Sequence, residues 1–477
     1  MEKQDNKLGI VGLVALIIGS TIGTGVFTTA VNMAADGAHA GASLLGWLIA
    51  GLGMFMLMMV FFGLNKVKPE MKNGIYSYAG EAFGEFVGLN SAWGYWLSAV
   101  ICNVAFITLM FESLGYFIPF FNGNRIAGLI GGSIFIWVIT ALVWRGIKEA
   151  AFVNVITTIS KVIPLVLFIV LIPLFGKFDT QIFLENFWGD GTVPLMDQVM
   201  ATTSYTVWSF IGVEGAVVLS ERARKTSDVG VSSLIGFAGL LTIYVLVAIF
   251  SLGVVPYEEL AQMKNPGMAY LLEAAIGPFG ATLVNIGVLL SVIGAFLGWT
   301  IIAADCPYSA AKQGSFTKAF AKANQHDVSS VSLVASTMIC QVLLVMTLVA
   351  EKAYELFVTM GSSMIMLPYL LSAAYYVKVT FGPEKDLVAS KTNLTLARIF
   401  AVLGTIYGVW MIYSSGLDMF LITAVLYSPT IVVYYIGQKE KGIEKKFQAH
   451  EKVIALVIIA LALLSAVLMA NGTIAVF

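Results

Sequence analysis

The chain has 477 residues, 58% of them hydrophobic and only 12% charged, with a mean hydropathy of +0.88. Those values exclude a soluble globular class and fit a polytopic helical membrane protein. The net charge of −1 leaves no basic field for nucleic acid.

Met1 to Lys7 is charged and leads into a long apolar stretch. No small-residue cleavage site follows a short apolar core, which argues against a removed signal peptide. Thirteen apolar segments of spanning length are expected. They cover 8–34, 40–64, 84–118, 126–144, 151–175, 198–220, 229–253, 278–308, 328–349, 353–377, 394–414, 418–437 and 453–471. The third and eighth are long enough to tilt or to extend past the bilayer. The expected fold is an all-α polytopic membrane protein with about 13 transmembrane helices, placed in the cell membrane.

Orientation follows from charge. With the N-terminus in the cytoplasm, 22 of the 27 Lys and Arg residues fall on the cytoplasmic side. Only Arg125, Lys177, Lys264 and Lys352 fall outside, and Lys161 lies inside the fifth segment. An odd number of spans then puts the C-terminus outside. The external loop from Gly176 to Met196 carries Asp179, Glu185 and Asp190 against Lys177. It reads either as a solvated loop or as a mildly acidic vestibule favouring cationic solutes.

The first segment contains Gly19-Ser20-Thr21-Ile22-Gly23-Thr24-Gly25. Each of its glycines weakens a helix by roughly 1 kcal/mol relative to alanine. In lipid, freed backbone groups persist only where protein or a water-filled cavity satisfies them. The sixth segment has a matching interruption, Trp208 to Gly215, five spans later. Paired breaks at corresponding positions point to a midplane binding site, although small residues also serve helix packing. Exposed N–H groups at a broken helix suit a carboxylate and freed carbonyls suit an ammonium, so Ile18 to Gly25 are expected to hold the backbone of an α-amino acid.

Two charged residues lie within apolar segments beside these breaks. Lys161 is near mid-depth in the fifth segment, where a lysine is expensive and signals function, unless it snorkels to an edge. Its ammonium is suited to replacing a bound cation against carbonyls of the first segment. Glu214 lies beside the sixth-segment break, placed to coordinate a cation or relay a proton, or else held neutral by hydrogen bonds. Trp208 and Trp299 are candidates to close over a bound cation, or are packing residues. Glu112 and Asp305 receive no role. The three cysteines and three histidines show no metal spacing, so neither a metal site nor a cofactor is expected. With no nucleophile–base constellation either, the chain is expected not to be an enzyme.

Four stretches together resemble the amino acid–polyamine–organocation superfamily, and within it the basic amino acid/polyamine antiporters. They are Gly19 to Phe27, Asn90 to Trp96, Trp208 to Gly215 and Gly298-Trp299-Thr300, spread over about the first ten spans. The likeness is greatest to the arginine/ornithine branch, through Gly74 to Ala79, Asn90 to Trp96, Phe210 to Ser220 and the thirteenth span. The resemblance implies a five-plus-five inverted-repeat fold with discontinuous helices 1 and 6. The first repeat would occupy 1–175, the second 198–377, and additional helices 11–13 would occupy 394–471. It also implies alternating access, with substrate held by segments one, three, six, eight and ten.

Carried over residue by residue, the resemblance gives Ser20, Thr21, Gly23, Thr24 and Gly25 to the carboxylate and amino group. Cys102, Asn103 and Phe106 fall where segment three lines such pockets. Trp208 is similar to the inner gating aromatic, Ile211 to a pocket-wall residue, and Glu214 to the gate-linked acid. Trp299 matches the aromatic of the opposite gate, Ser362 or Ser363 the pocket serine of segment ten, and Lys161 the lysine standing in for sodium. The implied function is exchange of an external cationic amino acid for a related amino acid or amine, arginine/ornithine antiport first. Histidine/histamine or another amino acid/decarboxylation-product exchange remains open, as does a proton-coupled permease. Expected partners are small-molecule amino acids and amines and the lipid bilayer, with a homodimer left open.

Overall fold

The computed structural model describes residues 9–71, 74–146, 151–185, 187–214, 226–443 and 447–474. The side chains of residues 15, 16, 20, 76, 151–157, 226 and 227 lie outside that description. The expected motif residues from Gly215 to Ser220 lie outside it as well, as does the side chain of Ser20.

The described chain is built of helices. The first are α1 (Ile10–Thr21), α2 (Thr29–Ala35), α3 (Ala40–Val67), α4 (Ile75–Phe83), α5 (Glu85–Phe117), α6 (Arg125–Trp144) and α7 (Ala151–Leu174). Then come α8 (Thr180–Leu184), α9 (Leu195–Ala201), α10 (Thr203–Phe210), α11 (Thr226–Ser251), α12 (Tyr257–Leu260), α13 (Gly267–Ile276) and α14 (Pro278–Lys312). The last are α15 (Ser330–Met346), α16 (Ala353–Phe381), α17 (Lys385–Lys391), α18 (Leu394–Ser414), α19 (Leu417–Tyr427), α20 (Pro429–Glu440) and α21 (Ala449–Ala470).

Among the described residues nine helical runs are long and apolar enough to cross a membrane. These are α3, α5, α6, α11 from Asp228, α14, α16, α18, α19 with α20, and α21. The first and sixth expected segments are instead interrupted. At the first, α1 stops at Thr21, and Ile22 turns extended at φ −65°, ψ 102°. The expected third and eighth segments are single helices of 33 and 35 residues.

The short helices α4, α12, α13 and α17 occupy stretches where no element was expected. Their boundaries have local causes. Gly84, at φ 96°, separates α4 from α5 in a conformation that side-chain-bearing residues rarely adopt. Asn393 caps α18 by accepting from the Leu396 N–H at 3.1 Å. Gln448 and Glu451 form a capping box at the start of α21.

The helices gather into two compact units, each assembled from separated stretches of chain. The first takes 1–58, 106–124 and 149–295, and in it α1 packs on α7 and α11 while α12 packs on α2. The second takes 59–105, 125–148 and 296–477, and in it α16 packs on α18 and α4, α15 on α6, and α19 on α21. Apolar side chains such as Leu456, Leu463 and Val467 of α21 are exposed, as a surface facing hydrocarbon requires.

Candidate functional site

In the first unit the site begins where α1 ends. The last helical bond runs from the Ile22 N–H to the Ile18 carbonyl at 3.0 Å. The chain then passes through Gly23, bends at Thr24 (φ −86°, ψ −19°) and makes a single tight turn over Gly25–Phe27 before α2. The Gly25 carbonyl accepts from the Thr28 N–H at 2.9 Å, the Thr28 hydroxyl at 3.0 Å and the Thr29 hydroxyl at 2.5 Å. In contrast, the N–H groups of Gly23, Gly25 and Val26 have no partner within the chain among the described residues. The Thr21 hydroxyl is likewise buried without a partner there.

The break also frees the Gly19 carbonyl, whose helical partner would have been the Gly23 N–H. Lys161 of α7 donates to it from Nζ at 3.1 Å. Lys161 is 4% exposed, so its amine is held inside the unit. The approach of α7 to α1 depends on Gly19, because a Cβ there would lie 2.2 Å from the Thr158 hydroxyl oxygen.

The tight turn after the break sits against α10. A Cβ on Gly25 would lie 2.7 Å from Trp208 Cδ1 and 2.8 Å from Ser209 Oγ, so only glycine permits this contact. Trp208 is buried, with its ring centroid 5.7 Å from that of Phe106. Ser209 is anchored in turn: its carbonyl accepts from the Tyr244 hydroxyl at 2.9 Å. The sequence reading began the second break at Trp208, but Trp208 lies in the last turn of α10, which continues to Phe210. A turn replaces the helix from Ile211 (φ −58°, ψ 128°), closed by the Val213 N–H on the Phe210 carbonyl at 3.0 Å, with Gly212 at φ 105°. Glu214 is buried and accepts from the Gly212 N–H at 3.1 Å, folding its carboxyl back onto the broken turn.

Cys102, Asn103, Trp299 and Ser362 lie in the second unit, all buried. Asn103 of α5 donates from Nδ2 to Thr300 Oγ1 of α14 at 3.2 Å. Thr300 donates to the Phe296 carbonyl at 2.7 Å. The Asn103 Oδ1 has no partner among the described residues. Trp299 lies beside Tyr95, with centroids 6.5 Å apart. Ser98, one turn before Cys102, donates to the Gly361 carbonyl of α16 at 2.7 Å, next to Ser362. Ser363 instead bonds back to the Thr359 carbonyl at 2.8 Å.

Sequence reasoning passed over Thr300, Ser98 and Ser209.

Two of the three external-loop carboxylates serve local structure. Asp179 caps α8 by accepting from the Gln181 N–H at 2.7 Å. The hydroxyl and N–H of Thr192 hold the Asp190 carboxyl below its ordinary pKa, at 2.6 and 2.9 Å. No cluster of three metal-ligating side chains occurs among the described residues.

The amino acid permease profile matches residues 8–436. The chain is 39% identical to the arginine/ornithine antiporter of Pseudomonas aeruginosa, over 98% of each chain. It is 37% identical to the arginine/agmatine antiporter of Chlamydia abortus, over 97% of each. It is 38% identical to the putative arginine/ornithine antiporter of Escherichia coli K12, over 94% of this chain and 96% of that one. A profile match across most of the chain, joined to near-full-length identity with transporters and a set of apolar spanning helices, leaves one conclusion: this chain is a multi-pass membrane protein of the amino acid permease family.

Proposed function

We propose that the chain exchanges external arginine for internal ornithine across the cell membrane by alternating access. The observation that carries the reading is the break after α1, with Lys161 seated on the Gly19 carbonyl and the Gly23, Gly25 and Val26 N–H groups left without partners among the described residues. Such N–H groups suit a substrate carboxylate. The Lys161 ammonium supplies a fixed charge where a bound cation would otherwise sit. The Asn103 Oδ1, a buried acceptor, suits the cationic end of the side chain. The names of the relatives, arginine/ornithine and arginine/agmatine antiporters, support arginine as one member of the pair.

Within this reading, Ser20, Thr21 and Thr24 join the glycines around the α-amino and carboxyl groups. Phe106, Cys102, Ile211 and Ser362 form walls. Trp208 gates one side, Trp299 gates the other, and Glu214 links gate movement to charge. The fold is a five-plus-five inverted repeat over 1–175 and 198–377, completed by helices 11–13 to thirteen spans. The N-terminus is cytoplasmic and the C-terminus external.

The ligand class is tested by thermal stability of purified protein against arginine, ornithine, agmatine, histidine, histamine, lysine and cadaverine. A ligand at about a hundred times its Kd adds about 2.7 kcal/mol to the folded state. Arginine and ornithine are expected to raise the melting temperature most. Stabilisation by histidine and histamine without arginine and ornithine would overturn the assignment. A shift with agmatine in place of ornithine would move it to the arginine/agmatine pair.

A further inference from the structure

We propose that Thr300 is a positioning residue. Its hydroxyl fixes the Asn103 amide so that the oxygen, and not the nitrogen, is presented to substrate, which selects side chains ending in a hydrogen-bond donor. The inference rests on the reading of Asn103 as a substrate residue.

The orientation of the amide follows from proton count. A threonine hydroxyl has a single proton and two lone pairs. Thr300 gives its proton to the Phe296 carbonyl, one turn earlier in α14, at 2.7 Å. Only lone pairs then face Asn103. An amide oxygen turned toward them would set acceptor against acceptor. The amide nitrogen turned toward them makes the observed bond of 3.2 Å.

Asn103 and Thr300 are 4% and 5% exposed, so water does little to rescue the wrong orientation. The consequence is a carboxamide oxygen that is buried and unpartnered among the described residues. A guanidinium or ammonium N–H relieves that acceptor through a charge-assisted bond. A carboxylate-ended side chain has no donor to offer it. Without the Thr300 hydroxyl the amide is free to rotate by half a turn and present its nitrogen. The preference for a cationic side chain then weakens even though Asn103 is still present.

The test measures binding of arginine and of citrulline, its uncharged ureido counterpart, to purified full-length protein by calorimetry. Thr300→Val keeps the shape and removes the hydroxyl. It is expected to weaken arginine binding about tenfold and to narrow the arginine-over-citrulline preference, the size of one charge-assisted bond. Thr300→Ser is expected to retain both values. In an Asn103→Ala background, Thr300→Val is expected to have no further effect on arginine affinity, because the two residues act as one unit.

The proposal is overturned if Thr300→Val keeps wild-type affinity and preference, if Thr300→Ser loses as much as Thr300→Val, or if the loss persists in the Asn103→Ala background. Should the valine variant fail to fold, Thr300→Cys, whose thiol bonds weakly, is expected to show the same loss, and wild-type behaviour there overturns the proposal equally. A wild-type protein that binds another cationic amino acid instead of arginine contradicts the substrate assignment alone. The Thr300 variants are then compared with that ligand.

Discussion

Lys161 and Gly19 carry the physics of the site in a single contact. The helix break removes the N–H that would have met the Gly19 carbonyl, and an ammonium at 3.1 Å takes its place. A buried lysine of this kind persists only because it is partnered. Lys161→Ala leaves the carbonyl without this donor and deletes the charge, and is expected to lower the initial rate of arginine uptake by about tenfold or more, the scale of a lost charged hydrogen bond. Lys161→Arg, which retains donor and charge, is expected to keep part of the rate. Normal uptake by the alanine variant would show that the contact serves packing only. Gly25 makes a second residue-scale prediction. Its absent side chain admits Trp208 Cδ1 to 2.7 Å of where a Cβ would sit. Gly25→Ala is expected to cost about 1–3 kcal/mol through overpacking. It should appear as a lower melting temperature together with weaker substrate binding; an unchanged melting temperature and affinity would mean that the two segments separate freely. The glycine stretch was legible in the sequence because glycine spacing reports directly on backbone conformation, and Lys161 because a charge in an apolar run stands out. Thr300 was not legible. A threonine in an apolar helix ordinarily bonds the carbonyl one turn back, as Thr300 does, and nothing in the sequence shows that its remaining lone pairs face Asn103.

At the level of elements, α16 shows how a long helix tolerates an internal proline. Pro368 has no N–H, so the Met364 carbonyl four residues earlier loses its helical donor. The Tyr427 hydroxyl at the end of α19 donates to that carbonyl at 3.0 Å, and both residues are buried. Gly94 of α5 makes room for the arrangement, since a Cβ there would lie 2.0 Å from the Tyr427 oxygen and 2.7 Å from the Met364 carbonyl. Tyr427→Phe keeps the ring and strands the carbonyl. It is expected to destabilise the protein by about 1–3 kcal/mol, read as a lower melting temperature in detergent, and an unshifted melting temperature would mean that the carbonyl finds another donor. Long apolar runs such as those of α5 and α14 were readable from composition alone. The short helices were not: α4, α12, α13 and α17 are too brief for periodicity to show. The end of α10 lies a few residues beyond Trp208, because a tryptophan gives no sign of where backbone bonding stops, whereas Ile211 and Gly212 carry the turn.

For the whole molecule, a family profile over 8–436 and nine apolar spanning helices among the described residues establish a multi-pass permease. The two compact units each draw on distant stretches of chain, a grouping that no local pattern in the sequence reveals. What distinguishes exchange from simple uptake is how substrate binding is coupled to the change of conformation. A carrier whose empty form switches slowly moves solute inward only when another solute is ready to move outward. The most direct measurement is uptake of labelled arginine into proteoliposomes of the purified protein, loaded with ornithine or left empty, with and without an imposed pH gradient. Strict exchange requires uptake into ornithine-loaded vesicles and almost none into empty ones, whatever the gradient. Equal uptake into empty vesicles, or uptake driven by the pH gradient alone, would contradict it.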